Sequence, residues 1–479
     1  MKKTSDIFQV MKDRLHSNEF QSLHRISESD FIRNRILSFT ITFAIIFNAI
    51  RDSSSAEFDK FCEYFEVPYF TKSAFSQARQ KLSPSAFIDL NNVIAKEYYT
   101  DNIIKKFHGL TVLAIDGYDL QLPVNDKIIK HFGYSSNQTN RKIPMAQASE
   151  LYDVDNEITI DAIISPYNSS EREIALEHVK NFMSMKLDKN KYIIIFDRGY
   201  PSILLICYLI QHGIPFLIRS STGFLKEVNE VIRNKKKDEI IEISLKRLRK
   251  TERNKLLEWF PNINVNNKIK FRVLIIYLST GEIEILLTSL LDKKKFPRKI
   301  FCEFYFKRWG VETDIGFQKC RIEIENFAGE SIVAVQQEFH ATILYKNSTK
   351  LLTMEANREL DEEKIDISSS CKSQYTDKMS AITDVLDHQP DKTEPKVDEK
   401  SIKKQKKYKY DINYSIALAK MKNRLIATLL DPNSNLSDFC ETMKNSMKKN
   451  LEPIRPGRAF ERRCLYPGKK FHKNSRRVA

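Results

Sequence analysis

The chain has 479 residues, a formal net charge of +16 at pH 7 and a hydrophobic fraction of 42%. This length is sufficient for about two to four domains and a large hydrophobic core. The excess of cationic side chains favours a polyanionic partner, with nucleic acid as the first interpretation and an acidic membrane surface as the second. The seven cysteines are scattered without a C-x-x-C pair, which argues against a zinc site or a disulfide framework and fits a reducing, cytoplasmic environment.

No membrane segment is expected from the pattern of apolar residues. The N-terminal residues lack an apolar signal core. The longest apolar run, residues 36–50, contains polar side chains and is shorter than the ~20 residues needed to cross a bilayer. We therefore predict that this run is a buried helix.

The first hundred or so residues are predicted to be helical, with one long helix over residues 31–50. A short helix capped by Thr71 or Ser73 follows and ends near Leu82. Its polar side carries Gln77, Arg79 and Lys81. A helix of this kind fits a DNA groove or contacts with phosphates, and the alternative is a bundle helix with a solvated face.

Buried strands begin at about residue 110. Residues 110–116 and 191–197 are two apolar runs, and each ends in an aspartate. Residues 145–153 and 157–165 predict two further strands, and helices separate the later strands. A β-rich stretch with a hairpin near Gly281 then follows. The pattern predicts the α/β class, with a mixed sheet that carries helices.

Residues 305–319 are predicted to form an amphipathic helix with one charged face. Tyr305, Arg308, Glu312 and Lys319 are spaced so that a helix returns all four to nearly the same side. One carboxylate flanked by two cations and a phenol suits a metal-bound acid that acts on a phosphate. The alternative is an ordinary surface helix with salt bridges.

Three acids from separate elements are the candidate catalytic residues. Asp116 and Asp197 end buried strands, and Glu312 lies on the later helix. Three carboxylates that meet in a cleft repel one another unless cations lie between them, and such hard oxygen ligands suit Mg²⁺ or Mn²⁺. Two such ions are a known arrangement for phosphoryl transfer. An aspartate after a strand also occurs at ordinary turns, so the set of three is more informative than any one of them.

The motif Tyr305-x2-Arg308-x3-Glu312-x6-Lys319 resembles the Y-x2-R-x3-E-x6-K signature of bacterial insertion-sequence transposases of the YREK type, the insertion sequence 4 group. The sequences Ile115-Asp116-Gly117 and Phe196-Asp197-Arg198-Gly199-Tyr200 resemble the two acidic boxes of that family. The stretch before the core, the segment ending at Gly329 and the Arg-Pro-Gly-Arg tail also resemble their counterparts in the family. The resemblance covers most of the chain, and the acidic boxes and the 305–319 helix are its diagnostic parts.

The resemblance implies an RNase H-like catalytic core with a β-strand-rich insertion and helical N- and C-terminal regions. It implies that Asp116, Asp197 and Glu312 are catalytic residues and ligands of two Mg²⁺ or Mn²⁺ ions per site. It also implies double-stranded DNA as the partner, both terminal inverted repeats and target, and a homodimer in the synaptic complex.

The resemblance further assigns DNA contacts to Tyr305, Arg308 and Lys319. Trp309 follows the signature arginine, where related transposases place an aromatic that stacks on a displaced base, and a core aromatic is the alternative. Arg198 either contacts a phosphate or pairs with an acid.

The expected organisation has six parts: a helical DNA-binding region (1–105), the first part of the core (106–221), the insertion (222–292), the end of the core (293–353), a disordered linker (354–402) and a basic helical C-terminal region (403–479). The expected function is metal-dependent DNA cleavage and strand transfer. Two alternatives are a catalytically inactive DNA-binding protein derived from a transposase and a nuclease without strand transfer.

Overall fold

The computed structural model describes residues 2–33, 35–48, 54–101, 103–136, 142–188, 191–278, 281–383 and 409–455. Two compact units divide the chain. The larger contains Ile7–Asn347, and the smaller contains Lys3–Asp6 together with the described part of Ser348–Lys470. Among the described residues, no helix combines the length and the apolar character that crossing a membrane requires.

The chain begins with six helices: α1 (Thr4–His16), α2 (Asn18–His24), α3 (Phe39–Phe47), α4 (Ser54–Phe65), α5 (Lys72–Arg79) and α6 (Ser85–Asp101). The helical prediction for this region is confirmed, but the single helix predicted over residues 31–50 is wrong. The hydroxyl of Ser38 accepts a hydrogen bond from the Ile41 amide at 3.2 Å and caps α3, and Phe31 has a positive φ of 58°. A capping serine starts a new helix here because its side chain replaces the missing backbone acceptor.

Helix α5 begins as predicted, because the Thr71 hydroxyl accepts a hydrogen bond from the Ala74 amide at 3.1 Å. The interpretation of Arg79 as part of an exposed cationic face is wrong. Arg79 is 4% exposed, and its guanidinium donates to Gln337 Oε1 at 3.1 Å and to Glu338 Oε1 at 3.0 Å. Arg79 therefore has a structural role in the larger unit.

Nine strands form one mixed sheet: β1 (Thr111–Gln121), β2 (Tyr134–Ser136), β3 (Lys142–Asp153), β4 (Ile158–Pro166), β5 (Tyr192–Phe196), β6 (Phe216–Ser220), β7 (Asp238–Ser244), β8 (Lys268–Tyr277) and β9 (Ile283–Thr288). The order is β2-β3-β1-β5-β6-β9-β8-β7, and β4 pairs with β3. Strands β1, β5 and β6 are parallel, whereas the other pairs are antiparallel. The strands of the predicted β-rich region, β7 to β9, thus extend the same sheet beyond β6.

Further helices of the larger unit lie between these strands or after β9 along the chain: α7 (Asp126–Phe132), α8 (Glu171–Ser184), α9 (Ile203–Gln211), α10 (Lys226–Arg233), α11 (Lys250–Trp259), α12 (Ile300–Phe306) and α13 (Trp309–Phe317). Alternate residues of β1 point to one face of the sheet, and the core on that face is built from two adjoining clusters. One cluster packs α13 against β1, β3 and β4, and the other packs α12 against β5, β6, β8 and β9. This face therefore carries both helices of the candidate site.

Helix α14 (Ile332–Thr383) includes residues 354–383, so for these residues the prediction of a disordered linker over 354–402 is wrong. The sequence contains no glycine or proline between Gly329 and Pro390, so neither of the two strongest helix-breaking residues interrupts the helix. Residues 384–402 lie outside the described part of the chain.

The smaller unit contains α15 (Tyr414–Met421), α16 (Arg424–Leu430), α17 (Leu436–Met447) and the strand pair β10 (Tyr410–Ile412) and β11 (Leu451–Pro453). The ammonium group of Lys444 on α17 binds three carboxylates, those of Glu355, Glu359 and Glu441. This cluster ties α17 to α14. The basic tail after Arg455 lies outside the described residues.

Candidate active site

Asp116 and Asp197 lie side by side on neighbouring parallel strands. The ladder between β1 and β5 ends with the pair Ile115 and Phe196, so the next residue on each chain is an aspartate. Asp197 follows β5 directly, as predicted. Asp116 does not end its strand, because β1 continues to Gln121. The apolar run stops at Asp116, but alternating burial continues through Tyr118 and Leu120, and this alternation is sufficient to extend a half-buried strand.

The single helix predicted over residues 305–319 is divided into α12 and α13. Lys307 and Arg308 lie between them, and the amides of Arg308, Gly310 and Val311 bond to the third preceding carbonyl rather than the fourth. A π-helical turn, Gln318–Ile322, follows α13. The break has a packing cause, since α12 and α13 bury their apolar residues in two different clusters. Gly310 allows close approach, because a Cβ there would lie 3.1 Å from Val154 Cβ.

The break places Tyr305, Arg308 and Glu312 against the two aspartates. The Tyr305 hydroxyl donates a hydrogen bond to Asp197 Oδ1 at 2.6 Å. Arg308 Nη1 lies 2.6 Å from Glu312 Oε1 and 3.6 Å from Asp116 Oδ2. One guanidinium therefore lies within ion-pair distance of two of the three candidate carboxylates and offsets one of their two negative charges, and the phenol donates a hydrogen bond to the third.

The guanidinium of Arg308 is nearly inaccessible to solvent, yet it is only partly satisfied. Its side chain is 4% exposed. Nε and Nη1 are buried without a hydrogen-bond partner of suitable geometry, so the short approach of Nη1 to Glu312 is an ion pair rather than a well-formed hydrogen bond. A buried donor without an acceptor is unfavourable. An oxygen ligand such as a phosphate could reach these donors only after the side chain moves, because Nε and Nη1 are buried.

The electrostatic environments of the two aspartates differ. Burial raises the pKa of Asp116 to about 6; Arg308 opposes this shift, and the charges of Glu312 and Asp197 add to it. Burial also acts to raise the pKa of Asp197. The hydrogen bonds from Tyr305 and the Arg198 amide, together with the charges of Arg308 and Arg219, outweigh burial and lower the pKa of Asp197. The two aspartates on neighbouring strands therefore repel each other, and the surrounding side chains offset only part of this repulsion.

The donor set fits a divalent cation. Asp116, Asp197 and Glu312 offer hard carboxylate oxygens, and their side chains are 20%, 35% and 32% exposed, so an ion has access to them. Among the described residues, the only group with three such ligand atoms all within 4.8 Å of one another is Glu355, Glu359 and Glu441, which already binds Lys444. In the candidate site, Arg308 lies within reach of both Asp116 and Glu312.

Lys319 contacts groups other than the three candidate acids. The Lys319 ammonium group donates to the Asp119 carbonyl oxygen at 2.5 Å and lies 3.6 Å from Glu325 Oε1. Its position in the π-helical turn changes the helical register, so it does not share the contacts of the other three motif residues.

Trp309 is 46% exposed, with the Arg308 guanidinium 5.4 Å from its ring centroid, so the alternative of a core aromatic is wrong. Arg198 is exposed. Within the described part of the chain, the Arg198 side chain forms no ion pair, and the choice between its two predicted roles stays a prediction.

Two residues of the site were missed from the sequence. Arg219 on β6 lies 3.9 Å from Asp197 Oδ1 and 3.4 Å from Glu284 Oε1 on β9, and its guanidinium is 5.9 Å from the Tyr305 ring centroid. Burial raises the pKa of Glu284, and Arg219 opposes this effect. A signal was present, because Arg219 follows the apolar run 214–218 in the same way that Asp116 and Asp197 follow theirs.

The backbone of Asp116 is held by a buried chain of hydrogen bonds. Its carbonyl oxygen accepts from the Ser149 hydroxyl at 3.0 Å. His178 lies between Ser149 Oγ, at 3.0 Å, and Asp161 Oδ2, at 2.7 Å. Ser149 and His178 are 2% and 0% exposed. These residues have the composition of a hydrolase triad, but their burial gives them a structural role.

Comparisons with known proteins are consistent with this site. Residues 107–345 match the family model described as the transposase DDE domain. The Escherichia coli (strain K12) protein named "Putative transposase InsZ" is 27% identical over 145 residues, which are 30% of this chain and 46% of that relative. The match thus spans less than half the length of this curated relative.

Among solved structures, the cryo-EM structure of the piggyBac transposase synaptic complex with hairpin DNA has a TM-score of 0.43 and 10% identity to this chain. The alignment covers 94% of this chain and 87% of that chain. The family match includes Asp116, Asp197 and Glu312 together with every element that contacts them. Residues 107–345 are therefore identified as a transposase DDE domain.

Proposed function

We propose that this protein is a DNA transposase of a bacterial insertion sequence, of the YREK type, that binds terminal inverted repeats and catalyses metal-dependent cleavage and strand transfer. The observation that carries the proposal is the convergence of Asp116, Asp197 and Glu312 from two adjacent strands and one helix. The transposase DDE domain match and the order of the strands support it. Strands β4-β3-β1-β5-β6, with β1, β5 and β6 parallel, are the arrangement expected of an RNase H-like core.

Asp116, Asp197 and Glu312 would hold the cations. Bound divalent ions activate the attacking water or 3′-hydroxyl and stabilise the leaving oxygen in phosphoryl transfer of this kind. Tyr305 orients Asp197 through its hydrogen bond. Arg308 has unsatisfied donors beside the acids and is suited to bind a DNA phosphate.

Several residues would contact the DNA partner. Trp309 presents an exposed ring next to Arg308 and is suited to stack on an unpaired base. Lys319 and the exposed Arg198 are proposed to contact the backbone of the DNA end. Two ends must be processed together, so we propose a homodimer in the synaptic complex.

The test uses the terminal repeats that border the gene. Pre-cut ends with free 3′-hydroxyls are mixed with supercoiled plasmid, the protein and Mg²⁺, and joined product is counted. We expect joining by the wild type, and none by Asp116→Asn or Glu312→Gln, because each substitution removes a ligand charge. Glu303→Gln is the matched control, since Glu303 is an exposed acid on α12. It should join ends as the wild type does.

The other outcomes distinguish the alternatives. Binding to the ends without joining by any variant, with Mn²⁺ also tried, would indicate a non-catalytic DNA-binding protein. Cutting without joining would indicate a nuclease.

A further inference from the structure

A buried ion cluster connects the helix that carries Glu312 to the strand beside Asp116. At its centre is Lys346 of α14, whose side chain is 1% exposed. The Lys346 ammonium group binds Asp314, lies 3.5 Å from Glu150 Oε2 and donates to the Thr159 hydroxyl at 2.7 Å. The cluster therefore joins α13, α14, β3 and β4 within the larger unit.

Glu150 lies on β3, the strand that pairs with β1 and its Asp116. It lies directly opposite Asp116 in the antiparallel ladder of β1 and β3, so the two side chains point to the same face of the sheet. Glu150 is 0% exposed and accepts hydrogen bonds from Tyr118 Oη at 2.8 Å, Thr159 Oγ1 at 2.7 Å and Gln318 Nε2 at 2.8 Å. Both of its carboxylate oxygens are thus occupied by directional contacts.

Asp314 and Gln318 anchor α13 in the cluster. Asp314 is two residues after Glu312, and Gln318 follows the last residue of the helix. Gln318 Nε2 donates to Asp314 Oδ2 at 2.7 Å as well as to Glu150. Two positions one helical turn apart are therefore connected to Glu150 on β3, Gln318 by a direct hydrogen bond and Asp314 through Lys346. A shift of α13 along its axis, or a rotation about it, would break these bonds.

The cluster is a poor device for stability alone. Buried ion pairs lose much of their attraction to the cost of desolvation, and apolar residues of similar volume would often give equal or greater stability. Hydrogen bonds and ion pairs depend on direction more than apolar contacts do, and a fully satisfied buried network can specify one arrangement of the core. The same helix must place Glu312 at a defined distance from Asp116, and this requirement explains such a network here.

We infer that Glu150, Lys346 and Asp314 are positioning residues of the active site. They fix the axial position and the rotation of α13, so that the Glu312 carboxylate faces Asp116 at the separation that a shared cation needs. This inference rests on the proposed function for the role of the cation. The statement that the cluster fixes the position of α13 does not depend on the proposed function.

The test combines Lys346→Met and Asp314→Asn with a control, Asp89→Asn. Asp89 pairs with Arg14 at 2.8 Å and His24 at 3.1 Å among the N-terminal helices, far along the chain from the site. Two quantities are measured on the DNA-free protein: the affinity for Mn²⁺, by a titration followed by electron paramagnetic resonance, and the rate of amide hydrogen exchange in peptides from α13 and β8. Glu312→Gln identifies the binding that belongs to the site.

We expect Lys346→Met and Asp314→Asn to lower the Mn²⁺ affinity about 10- to 100-fold, the usual effect of losing a group that orients a metal ligand. Exchange should accelerate in α13 and stay unchanged in β8. Asp89→Asn should change neither quantity, whatever it does to the unfolding midpoint. Lys346→Met leaves two buried carboxylates without a counter-ion; if it fails to fold, the isosteric Asp314→Asn decides the test.

The inference is overturned if a folded variant keeps the wild-type exchange rate in α13 and a Mn²⁺ affinity within about twofold of the wild type. If the wild-type protein shows no Mn²⁺ binding that is lost in Glu312→Gln, the result contradicts the proposed function instead. In that case the exchange of α13 alone decides whether the cluster positions the helix.

Discussion

The acids of the candidate site already contact protein side chains in the DNA-free protein. Arg308 lies within ion-pair distance of Asp116 and Glu312, and Tyr305 donates to Asp197. Each of these contacts occupies an oxygen that a cation would need. Two of the side chains that the motif assigns to DNA, Tyr305 and Arg308, are therefore also the ones that contact the acids before DNA binds.

Arg308→Ala is expected to raise the affinity of the DNA-free protein for Mn²⁺ at pH 8. Removing the guanidinium leaves Asp116 and Glu312 without a counter-ion, and two close carboxylates bind a cation more tightly when no protein cation competes. We expect the Mn²⁺ affinity to increase about tenfold, which corresponds to about 1.4 kcal/mol of binding free energy. The same variant should bind DNA ends more weakly.

Arg308→Lys is the control for the change at Arg308, because it keeps the positive charge and loses the planar group. Its Mn²⁺ affinity should stay closer to that of the wild type. A lower affinity in Arg308→Ala than in the wild type would show that Arg308 supports the metal site rather than competing for it.

The raised pKa of Asp116 predicts a pH dependence of folding stability in the presence of a chelator. Its pKa of about 6 in the folded protein exceeds the ordinary aspartate value of 3.8, so the folded state binds more protons between these two pH values. The free energy of unfolding therefore decreases as the pH rises through this range, and between pH 5 and pH 7 the decrease is about 1 kcal/mol for this group. Urea unfolding of the wild type and Asp116→Asn at pH 5 and pH 7 measures the difference.

The contribution of Asp116 should be absent from Asp116→Asn, so the stability of the variant relative to the wild type should increase from pH 5 to pH 7. An unchanged difference between the two proteins would indicate that Asp116 titrates at its ordinary pH in the folded state. Mn²⁺ affinity should follow the opposite trend and fall below pH 6, because protons compete with the cation for the same carboxylate.

At the scale of elements, the sequence predicted the strands better than the helices of the site. Continuous apolar runs identify β1 and β5, because a strand buried on both faces needs no alternation. The end of β1 was missed where the run changes to alternation after Asp116. The break between α12 and α13 was not visible, since helical spacing continues across it and its cause is packing against two separate clusters.

The contacts of individual side chains were less predictable than the elements. Helical spacing brings Tyr305, Arg308 and Glu312 together, as the structure confirms. It fails for Lys319, because a π-helical turn begins at Gln318. It also gave no reason to expect that Arg79 is buried, since the residues that surround it come from α14, more than 250 residues later.

Two glycines of the larger unit predict opposite effects of the same substitution. A Cβ at Gly329 would lie 2.3 Å from Ala334 Cβ and 2.6 Å from Arg79 Nη1, so Gly329→Ala should destabilise the protein by about 1–3 kcal/mol through overpacking. Gly316 lies within α13, and a Cβ there would meet no atom within 4 Å beyond the local backbone of its own helix. Gly316→Ala should therefore stabilise the protein by about 0.5–1 kcal/mol through helix propensity.

Denaturant unfolding of the two alanine variants beside the wild type measures both effects. Equal stability of Gly329→Ala and the wild type would mean that the loop before α14 can move away from Ala334. A loss of stability in Gly316→Ala would mean that the open side of α13 is occupied in solution.

At the scale of the whole molecule, charge is the property that the sequence gives most directly. Many surface lysines of the sheet are paired, as Lys270 is with Glu242 at 2.9 Å, yet the chain keeps a net charge of +16. Residues 456–479 carry eight Lys and Arg residues and one Glu. They lie outside the described residues, so their contribution to DNA binding is a prediction from sequence.

A protein that ends at Arg455 is expected to bind a short random-sequence DNA duplex with a weaker dependence on salt. Each phosphate neutralised by a cationic side chain adds about 0.9 to the slope of log affinity against log salt concentration, because a counterion is released. If the tail contacts several phosphates, the truncated protein should lose several units of slope. Fluorescence anisotropy of labelled duplex from 50 to 200 mM salt, about the range over which such contacts cost 10³-fold or more, measures both slopes.

The matched control for the truncation is Lys268→Ala with Lys270→Ala, which removes two cations that already pair with Glu242. Because the Glu242 carboxylate holds both ammonium groups, we expect neither to bind a phosphate, and the slope should stay close to that of the wild type. An equal slope for the truncated protein and the wild type would place the phosphate contacts elsewhere, on the cations that flank the three acids. In that case Arg308→Ala, rather than removal of the tail, should reduce the salt dependence, since Arg308 is one of the cations beside the acids that are proposed to bind phosphate.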